Sequence, residues 1–443
     1  MQTEQESKQW QLNQRQSSWR RLASLGKWAL LVVAASQLLV AQTDAQRRSF
    51  DEMPVTKAAG SSSIRFKVSN IARGAGAIPP ADQTTFDAYF RDYELARLTD
   101  LKSIAEYHTI REKLIRARLR AAGKTATGTS AVYERINQLC LEVCAKIVQG
   151  NYHPASKLNA MLILKGLNLS EPTQTAGAVP YPPTFDVILS ALKDPDLPDG
   201  VKVVALEGLE RHAMAGLADD KKAAVIAVVL PMFTQAKPPN NRSPDGHRWI
   251  RQRAARVLGA IGSVGPNNEV LQALATVIGD ANVHVKIRCT AARALGMLDY
   301  KGVQYDGVAK LAEDLFKTAM DAFDAEVDRL PSMNFAVSKP MVKWYFTTVY
   351  QGFYGLTADK NGGLVALTGD GPQKDFVQGI AAGFEPLYSI FDDKDLSDDV
   401  LRAKVKKTKR EVEAYIDANR PSDAANGVVE EVETASVEPA GVD

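Results

Sequence analysis

Arg251-Gln-Arg-Ala-Ala-Arg-Val-Leu-Gly259 is the stretch that decides the fold, because it returns as Arg288-Cys-Thr-Ala-Ala-Arg-Ala-Leu-Gly296. Registered on Ala254 and Ala291, the same frame, x-[KR]-x-x-A-x-x-x-L, takes in Lys202, Ala205 and Leu209, and before them Lys157, Ala160 and Leu164. The aligned alanines lie 45, 49 and 37 residues apart, a spacing suited to stacked units of two helices. Each frame is expected to be the second helix of its unit. Its alanine keeps that helix close to a neighbour and the leucine four residues on fills the seam. Gly259 and Gly296 are expected to end their helices. In the unit around Ala205 the first helix is predicted over Thr184 to Leu192, with Lys193 to Gly200 as the turn.

The pattern over residues 150–300 resembles HEAT repeats of an exported bacterial type. The resemblance implies an all-α chain, an armadillo-like α-solenoid of helical hairpins. It also implies a ladder between turn aspartates and basic residues opening the second helix: Asp194 with Lys202, Asp280 with Arg288, and less regularly Asp245 with Arg251. Solenoids of this kind present a binding surface rather than a reaction centre.

Outside the repeats the chain divides by composition. Residues 1–45 read as a signal peptide or an N-terminal membrane anchor. Arg15, Arg20, Arg21 and Lys27 lead into the apolar run from Trp28 to Ala41. That run spans about 21 Å as a helix, short of the roughly 30 Å of a hydrocarbon core. Cleavage is expected before Gln46, where Thr43 and Ala45 supply small residues. An uncleaved anchor that counts residues 22–41 is the alternative, and either reading places the protein in the periplasm or cell envelope. Residues 46–84 read as a flexible linker, with Ser63 to Val68 alternating like one short strand. Residues 85–149 form an N-terminal helical region opened by Thr85. Residues 301–420 are expected to be degenerate helical repeats, including a helix from Lys339 to Tyr354 dense in aromatic residues. Gly362 to Gly371 reads as a connector, and residues 421–443 as an acidic disordered tail.

Across 443 residues, Lys+Arg 54 nearly balances Asp+Glu 52, so no bulk field selects nucleic acid. Three cysteines make no disulfide framework, and Cys140 and Cys144 lie one helical turn apart as small apolar residues. The five histidines, at 108, 153, 212, 247 and 284, show no metal-binding or catalytic spacing. No cofactor, metal or catalytic residue is therefore expected, and the expected function is a non-catalytic scaffold that binds another protein. Arg256 and Arg293, which face away from the ladder arginines, and the cluster His247, Arg248 and Trp249 are the candidate partner-binding residues. The alternative is a ligand-binding protein or enzyme with its site near the aromatic helix over residues 340–354.

Overall fold

The computed structural model describes residues 49–421 except 75, 123–129, 240–241, 330–336, 357–361, 370 and 394. The signal or anchor segment at 1–45, Gly123 and the acidic residues 422–443 lie outside the described residues.

Among the described residues the chain is all-α apart from two short strands, β1 (Asn168–Ser170) and β2 (Val179–Pro180), which pair antiparallel. It opens with α1 (Ser62–Arg73), α2 (Gln83–Ala88) and α3 (Tyr107–Lys113). Five pairs follow: α4 (Ala131–Gln149) with α5 (Pro154–Gly166), α6 (Thr184–Leu192) with α7 (Asp199–Met214), α8 (Asp219–Thr234) with α9 (Pro244–Ile261), α10 (Glu269–Gly279) with α11 (Val285–Leu295), and α12 (Val308–Asp328) with α13 (Lys339–Tyr354). The second helices α5, α7, α9, α11 and α13 each pack on the next in that order, and so do the first helices α4, α6, α8, α10 and α12. After the short α14 (Gly363–Leu367), α15 (Pro372–Ser389) packs on α12, α13 and α16 (Asp398–Asn419).

Local chemistry explains where these helices start and stop. Ser130, Ser243 and Ser397 accept the backbone N–H groups of Tyr133, Gly246 and Val400, so each caps its helix. His153 and His284 do the same through Nδ1, accepting from Ala155 N and Lys286 N at 3.1 Å. Gly262 closes α9 in the left-handed region, at φ 70.

The shared frame has a structural meaning at each of its positions. Ala160, Ala205, Ala254 and Ala291 are fully buried, as are Leu164, Leu209, Leu258 and Leu295. In three of the four frames the basic position is buried too, and it donates to a backbone carbonyl upstream; Lys157 is only half-buried. Arg251 Nε reaches Phe233 O, Arg288 Nε reaches Ile278 O and Lys202 Nζ reaches Pro195 O, each at 2.8 Å. Phe233 and Ile278 lie in the last turns of α8 and α10, where carbonyls lack intrahelical donors and a cation is favoured by the helix dipole.

Several expectations are corrected. The aspartate ladder is not a set of ion pairs among the described residues. Asp194 and Asp280 instead accept the backbone N–H groups of Asp196 and Asn282, and Asp245 pairs with Arg248. Asp280 acts on Arg251 at longer range, opposing the larger lowering of its pKa by burial. Gly259 does not end its helix: a Cβ there would lie 2.7 Å from Ala294 Cα, so this glycine lets α9 and α11 touch. Gly296 does close α11, and it also packs on the Gln351 carbonyl of α13.

The supposed linker contains α1, not a strand. Ile64, Val68, Ile71 and Ala72 recur at helical spacing, and Val68 and Ala72 are buried while Phe66 is exposed. The Ile64-Phe66-Val68 alternation is a by-product of that pattern. Thr85 is inside α2, which begins at Gln83. Farther along, π-helical turns at Tyr89–Glu94 and Leu114–Leu119 interrupt the N-terminal region. The glycine-rich connector includes α14, whose Leu364, Val365 and Leu367 are buried.

Candidate partner-binding groove

The second helices present one continuous polar face. On α7 it is Glu207, Glu210, Arg211 and Met214; on α9 it is Trp249, Gln252, Arg253 and Arg256. Both quartets follow the i, i+3, i+4, i+7 rhythm that places side chains on one helix stripe. Thr290 and Arg293 continue the face on α11, and Trp344 and Thr348 continue it on α13. The opposite side of α7, α9 and α11 is committed to the core through the frame alanine and leucine, which fixes the direction of this stripe.

Two adjoining recesses, of about 410 Å³ and about 140 Å³, share Arg253 and Arg256. In the larger one charges alternate. Lys165 on α5 pairs with Glu207 at 2.6 Å, Arg253 with Glu207 at 2.7 Å, and Arg256 with Glu210 at 2.7 Å. Arg211, whose pKa burial lowers, donates to the Lys165 carbonyl and to Asn168 Oδ1.

The smaller recess changes character. Its lining holds Arg253, Arg256 and Arg293 and no carboxylate. Arg293 makes no ion pair among the described residues. Trp249 and Trp344 line the same recess and are 62% and 36% exposed, the only tryptophans among the described residues.

Of the residues singled out from sequence, Arg256, Arg293 and Trp249 are thus brought together. His247 and Arg248 are not part of this face. His247 is buried, its Nε2 lying 2.8 Å from the Gln235 carbonyl, and burial above all lowers its pKa. Arg248 pairs with Asp245 one turn away. Both line a separate recess of about 360 Å³ with Arg251, Asp280 and His284. Sequence reasoning missed Gln252 and Arg253, although the helical rhythm running from Trp249 to Arg256 was the signal for them. It also missed that Trp249 and Trp344 line one recess, which depends on α9, α11 and α13 packing in succession.

The remaining chemistry is quiet. Burial raises the pKa of all three thiols, Cys289 to about 12, so none is a ready nucleophile. Among the described residues no group of three or more His, Cys, Asp or Glu is placed to hold a metal ion. No described helix is long and apolar enough to cross a membrane. The rings of α13 are mostly packed inward: Phe346 and Phe353 are fully buried, and both meet Phe384. No family model matches the chain, and no curated protein is significantly similar to it.

Proposed function

We propose that this chain is a non-catalytic scaffold of HEAT-like hairpins, an α-solenoid, that is carried to the cell envelope and binds another protein through the groove. The observation that carries the reading is the gathering of two exposed tryptophans and three arginines on one face of consecutive helices. Tryptophan and arginine are the side chains that most often dominate interface energetics. Two indoles that line one recess, rather than being scattered singly, form the kind of contiguous exposed apolar surface that favours an interaction site. The alternative, a ligand site at the aromatic helix, has less support, since only Trp344 and Thr348 of α13 open onto the groove.

The test is the double variant Arg256→Ala and Arg293→Ala. Capture of the partner from the native envelope should fall at least tenfold, while far-UV circular dichroism stays unchanged. Undiminished capture overturns the groove as the docking face. Hydrolytic or redox activity of the purified protein, abolished by a change at Trp344 or His247, overturns the non-catalytic reading. Export is tested separately with a reporter fused after Gln46, which should be found outside the cytoplasm.

A further inference from the structure

Arg293 is the one cation of the groove that is half-buried and still makes no hydrogen bond or ion pair among the described residues. Its neighbours in the smaller recess are already matched. Arg253 pairs with Glu207 and Arg256 with Glu210, both at 2.7 Å, and both carboxylates belong to the larger recess. The hydroxyl protons of Thr290 and Thr348 are engaged by the Lys286 and Tyr345 carbonyls. The groups left unengaged are the Arg293 guanidinium, the Gln252 amide and the indole N–H groups of Trp249 and Trp344. Apart from the Gln252 carbonyl these are donors, set in a lining without a carboxylate. One guanidinium presents parallel N–H groups to one carboxylate, so the recess suits a single anion.

Its size and place narrow the occupant further. The recess of about 140 Å³ compares with the cavity of about 150 Å³ that accepts a benzene ring, and two exposed indoles offer the faces and edges against which a ring packs. The larger recess adjoins it through Arg253 and Arg256, whereas its far side is formed by Trp344 and Thr348 of α13, the last of the second helices. A chain laid along the groove over α7 and α9 meets that wall, and the group waiting there is a cation. The α-carboxylate of a chain end satisfies it, while an N-terminal ammonium is repelled. An internal acidic residue would bring onward chain that a space for one ring does not hold.

We infer that the smaller recess captures the C-terminal residue of the bound protein, an aromatic residue whose ring lies between Trp249 and Trp344 and whose α-carboxylate is held by Arg293. Recognition of a chain end by its carboxylate is a recurring mode of peptide binding. The residues before it lie over the larger recess, where the alternating charges are already paired and Met214 is exposed. The inference rests on the groove being the docking face, as proposed above, and adds which end of the partner enters it and what that end carries.

The probe is a set of hexapeptides ending in Phe, with Ala, Ser and Gln mixed over the five preceding positions and an uncharged fluorophore at the N-terminus, made as free acids and as C-terminal amides. The α-carboxylate is then the sole anion. In fluorescence anisotropy with the full chain, the free acids should bind at least tenfold more tightly than the amides. Arg293→Ala should erase that difference and Arg293→Lys should keep part of it, both without altering circular dichroism. Exchanging the terminal Phe for Gly should weaken binding at least threefold in the wild type, but not in a chain carrying Trp249→Ala and Trp344→Ala.

Equal affinity of acids and amides, absence of binding by both, or a difference that survives Arg293→Ala overturns the inference. N-acetylphenylalanine binding as tightly as the hexapeptides assigns the recess to a free aromatic acid and overturns it too. If the arginine double variant loses partner capture while acids and amides bind alike, the proposed function stands and only the inference falls. Undiminished partner capture by that variant defeats both.

Discussion

Between Asp199 and Leu295 an aliphatic core is supplemented by a close glycine–alanine contact and buried cations, and between Val308 and Asn419 it is supplemented by clusters of rings. In the first region Gly259 lies against Ala294, and Lys202, Arg251 and Arg288 reach carbonyls upstream of their own helices. In the second, Phe384 meets Phe316, Phe346 and Phe353 at centroid distances of 6.4, 5.5 and 6.4 Å, and Tyr350 stacks on Tyr388 at 4.2 Å. Small residues bring successive second helices close together, Gly259 against Ala294 between α9 and α11, and Gly296 with Gly352 between α11 and α13, so that the outward stripes of α9, α11 and α13 line one recess. The groove is built mainly by α7 and α9, with four residues from each, and takes two residues each from α11 (Thr290 and Arg293) and α13 (Trp344 and Thr348).

The largest test of this contrast is Phe384→Ala, which removes the common partner of three rings and should cost about 3–5 kcal/mol by chemical denaturation. A loss below about 1 kcal/mol would mean that the rings do not hold the second region together.

Acid should separate the two regions. Burial is the first cause lowering the pKa values of His212, to about 4, and of His247 and His284, with nearby arginine or lysine charges adding to it. Each folded-state value lies below the unfolded value near 6.5. The stabilisation is therefore complete above about pH 6.5 and is lost as pH falls toward 4, by roughly 3 kcal/mol at most for His212. His284 adds a specific reason, since its Nδ1 can accept the Lys286 N–H only while unprotonated. All five histidines precede residue 285. Hydrogen exchange at pH 4.5 should show α7, α9 and α11 opening before α12, α13 and α15; simultaneous opening would break the contrast.

Smaller still is Ala291→Leu, or equally Ala254→Leu, which should overpack the seam between second helices and cost about 1–3 kcal/mol. Unchanged melting temperatures for both would show that close approach is not what aligns the stripes. The smallest effect on stability belongs to the Arg256 and Arg293 double alanine variant. Its one ion pair is partly exposed, and Glu210 keeps Arg253 nearby, so its melting point should move by the equivalent of less than about 1 kcal/mol.

Much of the helical layout was legible because it is written at short range. The helix from Lys339 to Tyr354 has the bounds that its pattern predicts, and Ser130 and Ser397 cap where hydroxyls precede apolar runs. What escaped was long-range or sparsely marked. Helix α1 has so few apolar positions that composition pointed to a tether, and its burial depends on packing against the following helices. The basic frame residues were readable as important, but their acceptors are carbonyls, which have no sequence identity. The groove was half legible. Arg256 and Arg293 share a frame position, whereas the nearness of Trp249 to Trp344 arises only once α11 lies between α9 and α13.

The burial of all three cysteines gives the chain a surface free of native sulfhydryls. Alkylating reagents should pass over Cys140, Cys144 and Cys289 in the folded protein. A single cysteine placed at Gln252 would then be the one position to accept a spin label or photocrosslinker, with no need to strip the wild-type residues first. The face whose occupant is in question can therefore be tagged at a chosen point and made to report what lies across it.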